Sequence, residues 1–312
     1  MEKKLISIVT PCYNEEANVE DVYKQVKDIF QTLEKYKYEH IFIDNNSKDS
    51  TVSLLKRIAL ADKNVKIIVN ARNFGQVRSP FHALLQARGE AVVLLVADLQ
   101  DPPGMIIDFI HKWEEKYKIV IGVKKQSEEP FLMFQVRKIY YRIVSKLSET
   151  ELIKNFTGFG LYDQEIINIL KNINDPYPYF RGLICDIGFE KAQIEYVQPT
   201  RRRGITANNF YTLYDIAMLG ITNHSKVPLR LATMIGIAAS VFSFLIAVCY
   251  FVYKLIFWDS FTLGTAPMVI GIFFFSAVQL FFIGIIGEYI GAIHTQVLKR
   301  PLVVEKERIN FD

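Results

Sequence analysis

Three short runs of polar residues carry the side chains that could do chemistry. They are residues 11–16 (Pro-Cys-Tyr-Asn-Glu-Glu), 44–51 (Asp-Asn-Asn-Ser-Lys-Asp-Ser-Thr) and 98–103 (Asp-Leu-Gln-Asp-Pro-Pro). Carboxylates beside amides provide the oxygen ligands that Mg²⁺ or Mn²⁺ prefers, including where the cation bridges phosphates. No Gly-x-Gly-x-x-Gly run or Walker-type loop follows a predicted strand, so a dinucleotide site would lack its phosphate cradle. The pattern therefore predicts a site for a divalent cation and phosphate groups.

Each polar run follows a short apolar segment typical of a buried strand. Strands are predicted at residues 5–10, 40–44, 65–69, 91–97 and 119–123, with helices at 17–35, 51–61, 81–88 and 105–117. This alternation predicts an α/β fold with a mostly parallel sheet, in which ligands bind beyond the carboxyl ends of the strands. Capping of the following helix is the alternative role for Asp44 and Asp98. At Asp98, the position at a strand exit just before Asp101 and two prolines favours ligand binding.

The composition excludes collagen-like, disordered and small secreted disulfide-rich proteins. The 312-residue chain is 50% hydrophobic and 22% charged, with 37 Lys and Arg against 33 Asp and Glu, which gives a net charge of +4. That balance is too mild to indicate a nucleic-acid partner. The three cysteines show neither metal-ligand spacing nor a disulfide framework.

The excess of apolar residues lies near the C-terminus. Residues 231–253 and 260–287 each run without a charged side chain, and each is long enough to cross a hydrocarbon core of about 30 Å as a helix. The outer ends of the two spans carry more basic residues than the connection, namely Lys226, Arg230, Lys299 and Arg300 against Lys254. The positive-inside rule therefore places the N-terminal part and both termini in the cytoplasm, in a multi-pass protein of the inner (cell) membrane.

The predicted organisation has four parts. These are a cytoplasmic catalytic domain at 1–208, an interface region at 209–228, two transmembrane helices within 229–291 (about 231–253 and 266–287) and a cytoplasmic tail at 292–312. In the interface region, apolar residues recur at helical spacing. This spacing fits either an amphipathic helix lying in the membrane interface or an ordinary helix of the domain.

Four motifs, taken in order along the chain, resemble a known family. They are Pro11-x-Tyr-Asn-Glu-Glu, Asp44-x-x-Ser-x-Asp-x-Thr, Arg72-Asn-Phe-Gly and Asp98-Leu-Gln-Asp-Pro-Pro. Followed by the apolar hairpin, they are similar to family-2 inverting glycosyltransferases of the GT-A fold. Within that family the chain resembles the polyprenyl-phosphate glycosyltransferases, which are relatives of dolichyl-phosphate mannose synthase and the bacterial undecaprenyl-phosphate glucosyltransferases. The resemblance implies a Rossmann-like, mostly parallel α/β catalytic domain.

The resemblance also implies an activity. It points to an enzyme that moves a sugar, with inversion, from a UDP- or GDP-sugar to polyprenyl (undecaprenyl) phosphate at the cytoplasmic membrane face. The lipid-linked sugar would then serve envelope glycan decoration, with Mg²⁺ or Mn²⁺ as cofactor and a homo-oligomer, a dimer or tetramer, packed through the hairpins. Two alternatives remain: transfer to another lipid acceptor such as a diacylglycerol, and a non-catalytic scaffold that binds nucleotide sugars.

Individual residues receive roles from the same resemblance. Asp98 and Gln100 match the positions that hold the metal ion, which makes Asp98 a catalytic residue. If the reaction uses a base, Asp163 is the nearest candidate. For Asp163, capping of a helix that starts at residue 164 is the alternative. The substrate-binding positions are Pro11, Tyr13, Glu15 and Asp44 for the donor, and Arg137, Arg201, Arg202 and Arg203 for the acceptor phosphate.

Three positions depart from the family pattern. Val96 stands where the first acid of a metal-binding Asp-x-Asp is usual, Asn45 where a second Asp is usual, and Gly158 where many relatives carry an acid. Metal binding must then rely on Asp98, Gln100 and the donor diphosphate. A base is largely unnecessary, because the second pKa of a phosphate monoester is about 6 and the acceptor oxygen is already ionised near neutral pH.

Overall fold

The structure is a computed structural model that describes residues 3–125, 153–199, 215, 218–220, 222, 227–257 and 265–311. Two sets of predictions lie outside the described residues. One is the set of acceptor arginines (Arg137, Arg201, Arg202 and Arg203), and the other is most of the interface region.

In the described residues, eight strands and eight helices follow one another along the chain. The strands are β1 (Lys4–Cys12), β2 (Tyr36–Asp44), β3 (Val65–Asn70), β4 (Ala91–Leu94), β5 (Ile119–Lys124), β6 (Phe156–Asp163), β7 (Lys191–Tyr196) and β8 (Glu305–Ile309). The helices are α1 (Val19–Thr32), α2 (Thr51–Ala61), α3 (Gly75–Gln86), α4 (Met105–Glu114), α5 (Gln164–Ile173), α6 (Phe180–Asp186), α7 (Val227–Ile256) and α8 (Thr265–Val297).

All eight strands belong to one sheet with β1 near its centre. The strand order is β7-β5-β6-β4-β1-β2-β3-β8, and only β6 and β8 run antiparallel to the other described strands. α1, α2 and α4 cover one face of the sheet, and α3, α5 and α6 cover the other. Helices on both faces of the sheet explain why the side chains of the central strands are apolar on both faces. The predicted α/β fold with a mostly parallel sheet is confirmed.

The C-terminal strand β8 differs from the sequence-based organisation, which assigned residues 292–312 to a tail. β8 pairs with β3 in antiparallel fashion and extends the sheet at its edge. The side-chain amide of Asn310 donates hydrogen bonds to the carbonyls of Ala59 (2.8 Å) and Val65 (2.9 Å), and His82 contacts the Glu305 carboxylate at 2.6 Å. The sequence of β8, Glu-Lys-Glu-Arg-Ile, has no apolar alternation and therefore gives no strand signal.

α7 and α8 contain the two predicted apolar spans. They comprise 30 and 33 residues, or about 45 and 50 Å at 1.5 Å per residue. Their apolar windows, Val227–Ile246 and Gly271–Val297, are not buried inside the chain. Exposed apolar surface of this extent is unfavourable in water. Both helices are therefore candidates for crossing a membrane.

A buried histidine lies under the site edge of the sheet. His40 on β2 is fully buried, its Nε2 atom is 2.9 Å from the Thr10 hydroxyl oxygen, and its ring stacks on Phe42 with 3.9 Å between ring centroids. Burial lowers the pKa of His40 to about 3, because the imidazolium form would lose its hydration. The histidine is therefore neutral in the folded protein across the physiological range.

Replacing His40 should reduce the acid sensitivity of the fold. Because its folded pKa lies below the unfolded value of about 6.5, the unfolded chain binds more protons, and stability present above pH 6.5 is lost as the pH falls. Between pH 6.5 and 5 this residue should cost the wild type about 2 kcal/mol of unfolding free energy, and His40→Gln should remove that loss. Urea unfolding of the full chain in detergent measures both. His111→Gln, at an exposed histidine of α4, is the control, and equal pH slopes for His40→Gln and wild type would contradict the account.

The attachment of β8 gives a second prediction. Asn310→Ala removes two hydrogen bonds to buried backbone carbonyls and should lower the unfolding free energy by about 1–3 kcal/mol. Asn174→Ala is a matched control, because Asn174 also has a positive φ (50° against 59°) but its side chain makes no hydrogen bond to the described residues. A loss no larger than that of the control would mean that the Asn310 amide does not hold β8.

Candidate active site

The three polar runs meet at one edge of the sheet. β1 lies between β2 and β4 and is parallel to both, with Cys12 opposite Asp44 and Val9 opposite Leu94. The loops that follow these three strands therefore leave the sheet side by side. This is the carboxyl edge at which α/β proteins bind ligands.

Hydrogen bonds connect the loop after β1 to the loop after β2. The backbone N–H of Asn14 donates to the Ser47 hydroxyl oxygen (2.8 Å), and the backbone N–H of Lys48 donates to the Asn14 side-chain oxygen (2.8 Å). The Glu15 N–H donates to the Thr51 hydroxyl oxygen at 2.9 Å. These reciprocal bonds fix two loops that otherwise belong to separate βα units, and they hold the predicted donor residues in one arrangement.

Asp44 anchors the second of these loops from inside the protein. Its side chain is fully buried, one carboxylate oxygen accepts the Ser47 N–H at 2.9 Å, and the other accepts the Ser47 hydroxyl. Burial raises the pKa of Asp44, and the hydrogen bonds from Ser47 oppose that rise. Tyr13 in the neighbouring loop is 37% exposed, so its ring is accessible to a ligand held beside Asp44.

The chain makes a sharp turn at the exit of β4. Leu99 adopts the left-handed conformation (φ 57°), which is costly for a bulky residue and is found where function requires it. The turn is closed by a hydrogen bond from the Gln100 N–H to the Asp98 carboxylate (3.1 Å). Asp98 and Gln100 are both partly exposed, whereas Leu99 packs on the apolar cluster beneath.

The oxygen donors at this turn fit a divalent cation that is shared with a substrate. The described residues contain no group of three or more His, Cys, Asp or Glu that would enclose a metal. Mg²⁺ is commonly held by one or two carboxylates together with substrate phosphates and water. The Asp98 carboxylate and the Gln100 side-chain oxygen match that simpler arrangement, with Val96 contributing no ligand.

Asp101, in the same turn, is a residue that the sequence analysis left without a role. It is 4% exposed, and the Tyr196 hydroxyl of β7 donates a hydrogen bond to its carboxylate. Burial raises the pKa of Asp101 to about 6, although the hydrogen bond from Tyr196 lowers it. The pair ties the Asp98 turn to the far strand β7. The repeated acid in Asp-Leu-Gln-Asp was the only sequence signal for it.

Asn45 has a structural reason for not being an aspartate. Its amide nitrogen donates to the Asn73 side-chain oxygen (2.8 Å) and the Gly75 carbonyl (3.2 Å). Its amide oxygen accepts the Phe74 N–H (2.8 Å) and the Asn70 side-chain amide (3.2 Å). A carboxylate could accept but not donate, so only an amide satisfies all four partners. Asn45 thereby shapes the loop that carries the Arg-Asn-Phe-Gly motif.

Gly158 also has a local explanation. Its φ is 105°, a conformation that side chains rarely adopt, and a Cβ there would lie 3.4 Å from Leu94 and 3.5 Å from Phe180. Its carbonyl accepts a hydrogen bond from the Tyr162 hydroxyl at 2.6 Å. The backbone, rather than the available space, disfavours the acid that the family resemblance implies at this position.

The expectation of a catalytic Asp163 is corrected by its position. Asp163 pairs with Ala91 at the start of β4, at the edge of the sheet opposite to Asp98. One carboxylate oxygen accepts the Glu165 N–H (2.9 Å) as the N-cap of α5, and the other accepts the Trp113 indole N–H (2.7 Å). Asp163 is therefore a helix cap, which was its alternative role.

Two family comparisons agree with this geometry. Residues 7–173 match the model of glycosyl transferase family 2, and residues 227–293 match the GtrB C-terminal hairpin. Because the first match covers more than half of the chain, the protein belongs to glycosyl transferase family 2 and is a glycosyltransferase. The hairpin match and the exposed apolar helices α7 and α8 indicate membrane association.

Relatives align along nearly the whole chain. The glycosyltransferase YkcC of Bacillus subtilis is 35% identical over 307 residues, which is 98% of this chain and 94% of the relative. The SfII prophage-derived bactoprenol glucosyl transferase of Shigella flexneri is 33% identical over 303 residues, or 97% of each chain. Both alignments therefore include the region of α7 and α8.

A solved structure shares the fold of the catalytic domain. Glucosyl-3-phosphoglycerate synthase from Mycobacterium tuberculosis, crystallised with Mn²⁺, UDP and phosphoglyceric acid, superposes with a TM-score of 0.51 at 18% identity. The superposition covers 70% of this chain and 76% of that chain. The similarity confirms the GT-A fold.

The hydrogen bonds of Asn45 lead to a test of the site's architecture. Asn45→Asp keeps the shape of the side chain but removes two donated hydrogen bonds and places a charge beside two acceptor oxygens. We expect the unfolding free energy to fall by about 1–3 kcal/mol. Asn46→Asp makes the same charge change one residue away, at a side chain that makes no hydrogen bond to the described residues. If both variants unfold at the wild-type urea concentration, Asn45 does not organise the loop.

Proposed function

We propose that this glycosyltransferase transfers a sugar, with inversion, from a nucleotide-sugar donor to polyprenyl phosphate, the product serving envelope glycan decoration. The observation that carries the proposal is the alignment with a bactoprenol glucosyl transferase over 97% of both chains, hairpin included. An acceptor dissolved in the membrane would explain why a catalytic domain of the GT-A fold is joined to two long apolar helices. A homo-oligomer packed through those helices remains a prediction.

The donor would bind across the carboxyl ends of β1, β2 and β4. Its base and ribose would contact Pro11, Tyr13, Glu15 and Asp44, with the Tyr13 ring free to stack and the Asp44 loop held by Ser47. Its diphosphate would reach the Asp98 turn. When bound there by Asp98 and Gln100, Mg²⁺ or Mn²⁺ would offset negative charge on the departing diphosphate.

The chemical step makes few demands on the protein. A phosphate oxygen of the acceptor forms a bond to the anomeric carbon of the sugar, and the bond from that carbon to the donor's β-phosphate oxygen breaks with its electron pair. The nucleoside diphosphate leaves from the opposite face, so the configuration inverts. The acceptor oxygen is already ionised near pH 7, which agrees with Asp163 being a cap and residue 158 a glycine. Positioning and charge stabilisation therefore provide the rate enhancement.

The path of the chain supports a topology with the domain and both termini in the cytoplasm. Because β8 pairs with β3, the segment after α8 lies on the same side of any membrane as the catalytic sheet. The two intervening helices must then cross an even number of times. The basic residues that flank the outer ends of the hairpin favour the cytoplasmic side.

Loss of the Asp98 carboxylate should abolish transfer. Membranes that contain the full chain are incubated with Mn²⁺, undecaprenyl phosphate and a panel of radiolabelled UDP- and GDP-sugars. We expect a lipid product that is labile to mild acid with at least one donor, and Asp98→Asn should lower its formation by about 100-fold or more.

The control variant is Asp108→Asn, which removes an exposed carboxylate in the first turn of α4 and should leave transfer unchanged. Diacylglycerol replaces undecaprenyl phosphate in a parallel reaction. A product formed only with diacylglycerol would favour the other lipid acceptor, and no product with any donor and either lipid would favour a nucleotide-sugar-binding scaffold. Unchanged activity of Asp98→Asn would show that the metal site is elsewhere.

A further inference from the structure

Two arginines, on α3 and α6, carry positive charge without an ion-pair partner among the described residues. Arg78 lies in the second turn of α3, with its guanidinium carbon 5.1 Å from the centre of the Tyr177 ring. Its Nε atom is buried and donates no hydrogen bond within the described part of the chain. Arg181, the second residue of α6, lies 5.3 Å from the centre of the Tyr179 ring. In the same part of the chain, neither arginine pairs with a carboxylate.

Ring contacts connect the helices that carry the two arginines to the end of β4. The Phe81 ring, one helical turn after Arg78, packs edge-on against the Phe180 ring with 6.2 Å between ring centroids. Phe180 precedes Arg181 and lies 3.5 Å from the position that a Cβ of Gly158 would take, while Leu94 at the end of β4 lies 3.4 Å from it. Asp98 follows Leu94 by four residues along the chain.

The same corner of the domain contacts the segment that leads to the first apolar helix. Leu219 packs with Tyr179 and Cys185, and Val77 and Tyr177 pack against this cluster. Leu219 precedes the start of α7 by eight residues. The helices that carry Arg78 and Arg181 therefore contact both the end of β4 and the segment that leads to α7.

The chemistry of this corner fits a phosphate. A tyrosine face orients a guanidinium but supplies no countercharge, so a partly buried arginine on such a face still favours an anion. Guanidinium groups bind phosphate oxygens through two parallel N–H bonds, and a phosphate monoester can accept from both arginines. Burial raises the pKa of Tyr177, while Arg78 lowers it and Asp215 raises it. Asp215 and Asp175, whose carboxylate accepts the Tyr177 N–H at 2.8 Å, are therefore acids near this ring, and neither forms an ion pair with Arg78.

We infer that Arg78 and Arg181 bind the phosphate monoester of the lipid acceptor. The inference rests on the proposed function and deepens it by assigning acceptor-binding residues inside the catalytic domain. Held at this corner, the acceptor oxygen would face the donor sugar beyond β4 while its polyprenyl chain extends towards α7. The two arginines would also offset the repulsion between two anionic substrates.

Steady-state kinetics of the full chain in detergent test this assignment. Arg78→Gln and Arg181→Gln should each raise the KM for undecaprenyl phosphate about tenfold and leave the KM for the nucleotide sugar unchanged. Arg78→Lys should restore part of the affinity for undecaprenyl phosphate, because lysine keeps the positive charge but lacks the parallel N–H donors of the guanidinium group. Arg57→Gln is the control. Arg57 on α2 pairs with Glu20 of α1 at 2.5 Å, and this substitution should change neither KM.

Two outcomes would overturn the inference. A rise in the donor KM alone would assign the arginines to the diphosphate of the donor. A fall in kcat and melting temperature with both KM values unchanged would mean that the arginines are structural. The variant Arg78→Lys distinguishes a structural role from phosphate binding. If only the packing of the aliphatic part of the side chain mattered, lysine would restore wild-type behaviour in full.

A binding measurement separates this inference from the proposed function. Farnesyl phosphate, used as a short probe, should raise the melting temperature of the wild-type chain, and farnesol should not. The double variant Arg78→Gln/Arg181→Gln should lose the shift. If the wild type binds the probe but transfers no sugar to undecaprenyl phosphate, the proposed function fails, whereas Arg78 and Arg181 still form a site for a lipid phosphate. An equal shift for wild type and double variant would refute the assignment.

Discussion

The placement of β1 between two parallel strands is the constraint on which the rest of the site depends. Parallel pairing brings Cys12 level with Asp44 and sets the exit of β4 beside them. This register brings the two loops close enough for the Asn14 backbone N–H to donate to the Ser47 hydroxyl oxygen. A slip of one residue would also exchange the two buried faces of β1, so that each side chain would meet the wrong layer of helices. The apolar core and the site geometry therefore specify each other.

A second connection ties the site to the hairpin. The chain leaves the domain before α7 and returns after α8, where β8 closes the edge of β3 and the Asn310 amide bonds to two backbone carbonyls. A β-strand at a sheet edge is held along its whole length by backbone hydrogen bonds, unlike a tail attached by a few side chains. Before α7, Leu219 packs with Tyr179 and against Val77 of α3, the helix whose His82 contacts β8. The domain is thus attached to the hairpin region at two places, which would fix the distance between its site and the lipid.

Sequence patterns predicted the elements whose signal is apolar and local. β1 to β5 were located to within a few residues because each is a short apolar run, and the spans in α7 and α8 were visible from their lack of charge. β8 was not predicted, because four of its five residues are charged and only its pairing with β3 makes it a strand. Within the site, the predicted donor residues and Asp98 do lie at or just beyond the carboxyl ends of adjacent strands. The positions of Asp163 at the far edge and of Arg78 beside Tyr177 depend on long-range packing, which no local pattern encodes.

Two of the three departures from the family pattern have physical explanations that are compatible with catalysis. Asn45 satisfies four hydrogen-bond partners, and Gly158 adopts a backbone conformation that disfavours a side chain. The central claim is that the edge formed by β1, β2 and β4 holds the nucleotide donor. A cryo-EM structure of the full chain with UDP-glucose or GDP-mannose and Mn²⁺ tests it most directly. The account predicts nucleotide density beside Tyr13 and Asp44, with the metal and diphosphate at Asp98 and Gln100. Nucleotide density at any other place on the domain would contradict it.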